Sequence, residues 1–132
     1  MPDHSLERIL MVEDEPDIRT VAALALESIG GFVLTACGSG QQALEQIREC
    51  QPQLILLDVM MPGMDGPATL EAIRRLPDFA TTPAVFMTAK VQSDEVQGYL
   101  AQGAAGVIPK PFDPLSLADQ IREIWNEACA IG

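Results

Sequence analysis

Two acids, Glu13 and Asp14, follow directly on the first apolar run of the chain, and three later apolar runs lead into Asp58, Thr88 and Lys110. Three carboxylates, a hydroxyl and an amine form a chemically meaningful set if they meet. Crowded carboxylates make one another harder to ionise, and a divalent cation relieves that strain. Mg²⁺ suits oxygen donors, keeps several waters, and typically takes one or two carboxylates together with a phosphate. A lysine and a hydroxyl on the far side would suit the remaining oxygens of a bound phosphoryl group. A carboxylate can itself be the nucleophile and form an aspartyl phosphate. The metal and the amine then stabilise the transferring group by charge and position.

A sheet must hold these residues together. The apolar runs span 9–12, 32–36, 54–57, 84–87 and 105–108, each of strand length and near-continuously apolar, the pattern of strands covered on both faces. The second run ends in Ala36-Cys37-Gly38, without chemistry. Segments with helical periodicity lie between the runs. Ile18, Val21, Ala22, Ala25 and Ile29 form one stripe behind Pro16, a residue suited to a first helical turn. Ala43, Leu44 and Ile47 form a second, opened by Ser39 and Gln42 as a capping box. Leu70 and Ile73 follow Gly66-Pro67, and Val96, Tyr99 and Leu100 form a fourth stripe that stops at Gly103. The last carries Leu117, Ile121, Ile124 and Trp125 and starts from Asp113-Pro114 as N-cap and first helical residue. Strand and helix alternate throughout, which implies a doubly wound α/β domain with a parallel sheet, right-handed crossovers and helices on both faces. Such sheets bind ligands at the carboxyl ends of their strands, where strand order reverses. If that order is 2-1-3-4-5, the five polar residues come from adjacent strands and converge on one rim.

Composition narrows the function classes. The 132 residues include 48% apolar ones, an ordinary globular content, and they suffice for one domain with a real core. Eight Lys and Arg against 19 Asp and Glu give a net charge of −11, which disfavours nucleic acid and anionic lipid as direct partners. The N-terminal residues have no apolar stretch of signal-peptide type, and no apolar run is long enough to cross a bilayer. Cys37, Cys50 and Cys129 fit neither a disulfide framework nor a zinc site and read as small hydrophobes in a reducing cytosol. The expectation is a cytoplasmic protein.

Four stretches carry a family resemblance: Glu13-Asp14, LLDVMMPGMDG at 56–66, Thr88-Ala89 and Lys110-Pro111. Together they resemble the receiver domain of two-component response regulators, chemotaxis regulators included. Spacings of 44, 30 and 22 residues separate Asp14, Asp58, Thr88 and Lys110, and the likeness covers roughly residues 8–128. The resemblance implies a flavodoxin-like (βα)5 fold with strand order 2-1-3-4-5. It makes Asp58 the acceptor of a phosphoryl group from a sensor histidine kinase or a histidine phosphotransfer protein. Asp14, Asp58 and the backbone carbonyl of Met60 would bind Mg²⁺, with Glu13 acting through water, while Thr88 and Lys110 would grip the phosphoryl oxygens. It also implies a cis Lys110-Pro111 bond and a surface switched by phosphorylation, made of the fourth helix, the fifth strand and the fifth helix, for a downstream protein. On this reading residues 1–132 are one stand-alone receiver without an output domain, a monomer or weak dimer. It is a phosphorylated signalling domain with slow self-dephosphorylation rather than an enzyme with an external substrate.

One position departs from the pattern. The family often has an aromatic residue three before the lysine, and here that position is Val107. A weaker or differently routed conformational readout is expected. A rival class rests on Gly38-Ser39-Gly40-Gln41-Gln42-Ala43, which matches G-x-G-x-x-A between a strand and a helix, with Asp58 about 20 residues on as in a dinucleotide site. That motif follows the second strand rather than the first, and the capping box already explains Ser39. Asp65 reads as a turn former before Gly66, and His4 receives no role.

Overall fold

The computed structural model of the chain describes residues 5–131, so His4 lies outside it. Five strands, β1 (Arg8–Val12), β2 (Val33–Cys37), β3 (Leu54–Asp58), β4 (Ala84–Thr88) and β5 (Gly106–Pro109), pair in parallel in the order β2-β1-β3-β4-β5. Five helices follow them in turn: α1 (Pro16–Leu24), α2 (Gly40–Cys50), α3 (Gly66–Arg74), α4 (Ser93–Ala101) and α5 (Leu117–Ile131). The expected doubly wound architecture and strand order are both present.

Alternation along the strands builds two cores from one sheet. Ile9, Met11, Leu54, Leu56, Val85 and Met87 pack on one face with Ala22, Leu26, Leu117, Ile121 and Trp125 of the α1 and α5 segments. Leu10, Val12, Ile55, Leu57 and Phe86 pack on the other with Ala43 and Ile47 of α2 and Leu70 and Ile73 of α3. The three inner strands are therefore apolar at nearly every position. β2 differs from its expected cover on both faces. As an edge strand it leaves Val33 66% exposed, because a helix layer closes over the middle of a sheet before its rim.

Four local expectations are corrected. α1 runs into a π-helical turn, Ala25–Ile29, whose wider winding is closed by the Gly30 N–H on the Ala25 carbonyl at 3.0 Å. Ala22, Ala25 and Leu26 are buried, Ile29 at the end of that wider winding is exposed, and Val21, which precedes it, is exposed as well. Ser39 caps α2 through the Gln42 N–H at 3.1 Å, but the Gln42 side chain accepts from Gly38 N–H at 2.7 Å, so the box is not reciprocal. On α4, Val96 and Tyr99 are only half-buried and Leu100 is exposed, so this helix lies lightly on the sheet. Asp113 and Pro114 form a separate turn, with the Asp113 carboxylate accepting Leu115 N–H at 3.0 Å, and α5 starts at Leu117. Asp65 does more than turn the chain: its carboxylate caps α3 by accepting Ala68 N–H at 2.9 Å.

Candidate functional site

Strand register delivers the candidate residues to one rim. Val12 pairs with Leu57, so Glu13 and Asp58 stand next to each other just beyond that pair. Asp58 pairs with Met87, which puts Thr88 one step further, and Thr88 pairs with Pro109, which brings Lys110 alongside. The chain winds outward in both directions from β1 and β3, so the rim lies at the reversal of strand order, where parallel sheets open a crevice.

The side chains meet there. Lys110 Nζ lies 3.0 Å from Glu13 Oε1 and 3.2 Å from Asp58 Oδ1, with its side chain 16% exposed. Glu13 is wholly buried, and its other carboxylate oxygen accepts Glu15 N–H at 3.1 Å. Glu13, Asp14 and Asp58 each bring a carboxylate oxygen within 4.8 Å of the others. Thr88 is buried, and its hydroxyl oxygen accepts Lys90 N–H at 3.0 Å, which leaves the hydroxyl proton free to donate elsewhere. Met60 follows two residues after Asp58 and is exposed. The Lys110-Pro111 bond is cis, as the family resemblance implied.

Three carboxylates crowd together, and the one ammonium in direct contact with them reaches only Glu13 and Asp58. Burial raises the pKa of Glu13, and the nearby Asp58 charge adds to the rise. The Lys110 and Glu15 hydrogen bonds pull the other way without cancelling it. For Lys110, burial works to lower the pKa, yet the bonds and charges of Glu13 and Asp58 together outweigh it and raise the value. Burial thus sets the direction at Glu13, whereas the neighbouring carboxylates set it at Lys110. A cluster of three carboxylates that offers only oxygen donors fits a hard divalent cation such as Mg²⁺.

Three contacts at the rim were not anticipated from sequence. Arg19 Nη1 donates to the Glu13 carbonyl at 2.8 Å. Gly66 lies so close to the end of β3 that a Cβ there would sit 2.5 Å from the Asp58 carbonyl oxygen. An apolar hollow of about 420 Å³ opens beside Lys110, between Ile18 and Val21 of α1 and Pro111-Phe112. The only sequence signal for Arg19 was a cation near a helix N-terminus, where the helix dipole disfavours it. The dinucleotide motif does not make a comparable site. It follows the edge strand β2, and Gly40 packs so closely on Met64 and Thr69 that a Cβ there would run into both. Cys37 is buried with its thiol pushed up to about 11, in keeping with a packing role.

Comparison with known proteins points to one family. The family model described as the response regulator receiver domain matches residues 9–122. The transcriptional regulatory protein CseB of Streptomyces coelicolor is 40% identical over 116 residues, covering 88% of this chain and 48% of its own length. The DNA-binding response regulator MtrA of Mycolicibacterium smegmatis is 37% identical over 120 residues, covering 91% of this chain and 51% of its own. The chain thus spans about half the length of the curated relatives it matches. Among solved structures, the chemotaxis protein CheY4 of Vibrio cholerae superposes with a TM-score of 0.83 at 27% identity, over 91% of this chain and 99% of that one.

Proposed function

The chain belongs to the response regulator receiver family, and on that premise we propose that Asp58 is the phosphoacceptor of a two-component phosphorelay. The observation that carries this reading is the Lys110 ammonium, set between Asp58 at 3.2 Å and Glu13 at 3.0 Å on the rim where Thr88 also ends. An Asp58 carboxylate oxygen attacks the phosphorus of a phosphohistidine as the phosphorus–nitrogen bond breaks, and the departing imidazole keeps the electron pair. Asp58 becomes an acyl phosphate. Lys110 and the Thr88 hydroxyl then hold two of the phosphoryl oxygens, the first by charge and the second through its free proton.

Asp14, Asp58 and the Met60 carbonyl would hold Mg²⁺, with Glu13 linked through water. The ion supplies neutralising charge to the transferring phosphoryl oxygens when bound. Water attack on the acyl phosphate would return Asp58 slowly to its free form. No external substrate is consumed.

A sensor histidine kinase or a histidine phosphotransfer protein is the donor. The apolar hollow beside Lys110 offers such a protein a surface next to the nucleophile. The signal leaves through the α4–β5–α5 face to a downstream protein. Val107 pairs with Phe86 in the sheet, and the ring packed edge-on against Phe86 comes instead from Tyr99 of α4, with centroids 5.4 Å apart. Readout through α4 therefore does not use an aromatic at 107. DNA binding is named for the relative MtrA; the −11 charge of this chain argues against direct contact with nucleic acid here. Among the described residues no helix is long and apolar enough to cross a membrane.

The test is transfer from a phosphorylated histidine-containing donor carrying a labelled phosphoryl group. Label should move to this chain with Mg²⁺ and stay on the donor with excess chelator. Transfer that ignores the chelator would remove the metal from the scheme.

A further inference from the structure

Glu13 is held at every polar atom. Its N–H donates to the Cys37 carbonyl at 3.0 Å, its carboxylate oxygens take Lys110 and Glu15 N–H, and its carbonyl takes Arg19 Nη1 at 2.8 Å. The last contact is the unusual one. Arg19 is a half-buried cation within four residues of the start of α1, where the helix dipole opposes it. Its guanidinium also fills the space left by a missing side chain, since a Cβ on Gly38 would lie 3.1 Å from Nη1.

The bond from Glu13 to Asp14 is a planar peptide, so pinning the Glu13 carbonyl fixes that plane and the direction in which Asp14 leaves the strand. We propose that Arg19 is a positioning residue for Asp14, holding the peptide through which the Asp14 carboxylate is presented to the acidic cluster, with Gly38 making room for its guanidinium. The inference rests on reading that cluster as a Mg²⁺ site.

Charge and position predict opposite signs, which makes the proposal easy to test. A cation beside a metal site repels the metal, so removing it should tighten binding if charge alone matters. If Arg19 acts by position, its removal should weaken binding. Calorimetric titration of the full chain with MgCl₂ should show weaker binding by about tenfold in Arg19→Met, the usual effect of losing a group that orients a ligand. Gly38→Val, which keeps the charge but displaces the guanidinium, should weaken binding too. In metal-free protein, the Asp14 amide resonance should shift in both variants, a readout that needs no metal. Unchanged or tighter binding in Arg19→Met, or an Asp14 amide that stays in place, overturns the inference while leaving the metal site intact. Absence of binding by the wild type overturns the metal reading, and this inference with it.

Discussion

Lys110, just past β5, reaches across the end of β4 to Asp58 at the end of β3, with Nζ 3.2 Å from Oδ1, and the same ammonium meets the buried Glu13 at 3.0 Å. One cation is thereby shared by two buried carboxylates. The arrangement leaves the amine in place to receive a phosphoryl oxygen, as the proposed function requires.

Removing that cation exposes the debt. Lys110→Met should abolish phosphorylation and destabilise the Mg²⁺-free protein by about 2 kcal/mol at neutral pH, less than a fully buried pair would lose because the lysine keeps some solvent. Urea unfolding measures it. Added Mg²⁺ should restore part of the loss, and a variant as stable as the wild type without metal would contradict the assignment.

Glu13 gives the site a pH dependence of definite sign. Its pKa is raised, burial being the larger cause, above the ordinary 4.5. A raised folded-state value means the folded protein holds this proton more tightly than the unfolded chain. The contribution is complete below 4.5 and is lost as pH rises through the folded value. In Mg²⁺-free buffer, Glu13→Gln should therefore gain stability relative to the wild type as pH increases from 4.5 upward. Paired urea midpoints across that range check it, and a constant difference would count against a raised Glu13.

Two glycines should respond to alanine with opposite signs. At Gly66 the new Cβ would lie 2.5 Å from the Asp58 carbonyl oxygen and 2.9 Å from Val59 Cα, both main-chain atoms that cannot step aside. Gly66→Ala should destabilise by about 2 kcal/mol and slow phosphorylation by displacing the nucleophile. At Gly98, inside α4, nothing lies within 4 Å, so Gly98→Ala should stabilise by up to about 1 kcal/mol and leave phosphorylation unchanged.

With Val107 opposite Phe86 and Tyr99 supplying the ring, phosphorylation should disturb Val107 and Tyr99 little. The larger change belongs at 89–92, because the Thr88 hydroxyl that would turn to the phosphoryl group accepts the Lys90 N–H. Amide and side-chain resonances with and without the phosphoryl group distinguish these regions. Large shifts at Val107 and Tyr99 with a silent 89–92 loop would reverse the proposed route.

The inner strands were legible because burial on both faces writes an unbroken apolar run, and the candidate site was legible because parallel register puts the residue after each run on one rim. Strand order came from family resemblance; apolar pattern alone carries no order. What stayed hidden depends on approach in space. Nothing in Ala25–Ile29 announces the π-helical turn that moves burial from Ile29 to Leu26. Arg19 reaches Glu13 through a gap at Gly38, and Gly66 abuts Asp58, contacts fixed by how loops fold over the strand ends. Lightly packed α4 shows the same limit, since its apolar residues at helical spacing do not reveal how deeply the helix sits.

The central claim is that Asp58 receives the phosphoryl group. Intact-mass measurement after incubation with Mg²⁺ and a small acyl phosphate tests it most directly. The wild type should gain the mass of one phosphoryl group and Asp58→Asn should gain none. A wild type that takes up nothing, or an Asp58→Asn variant that still takes up one, would contradict the account.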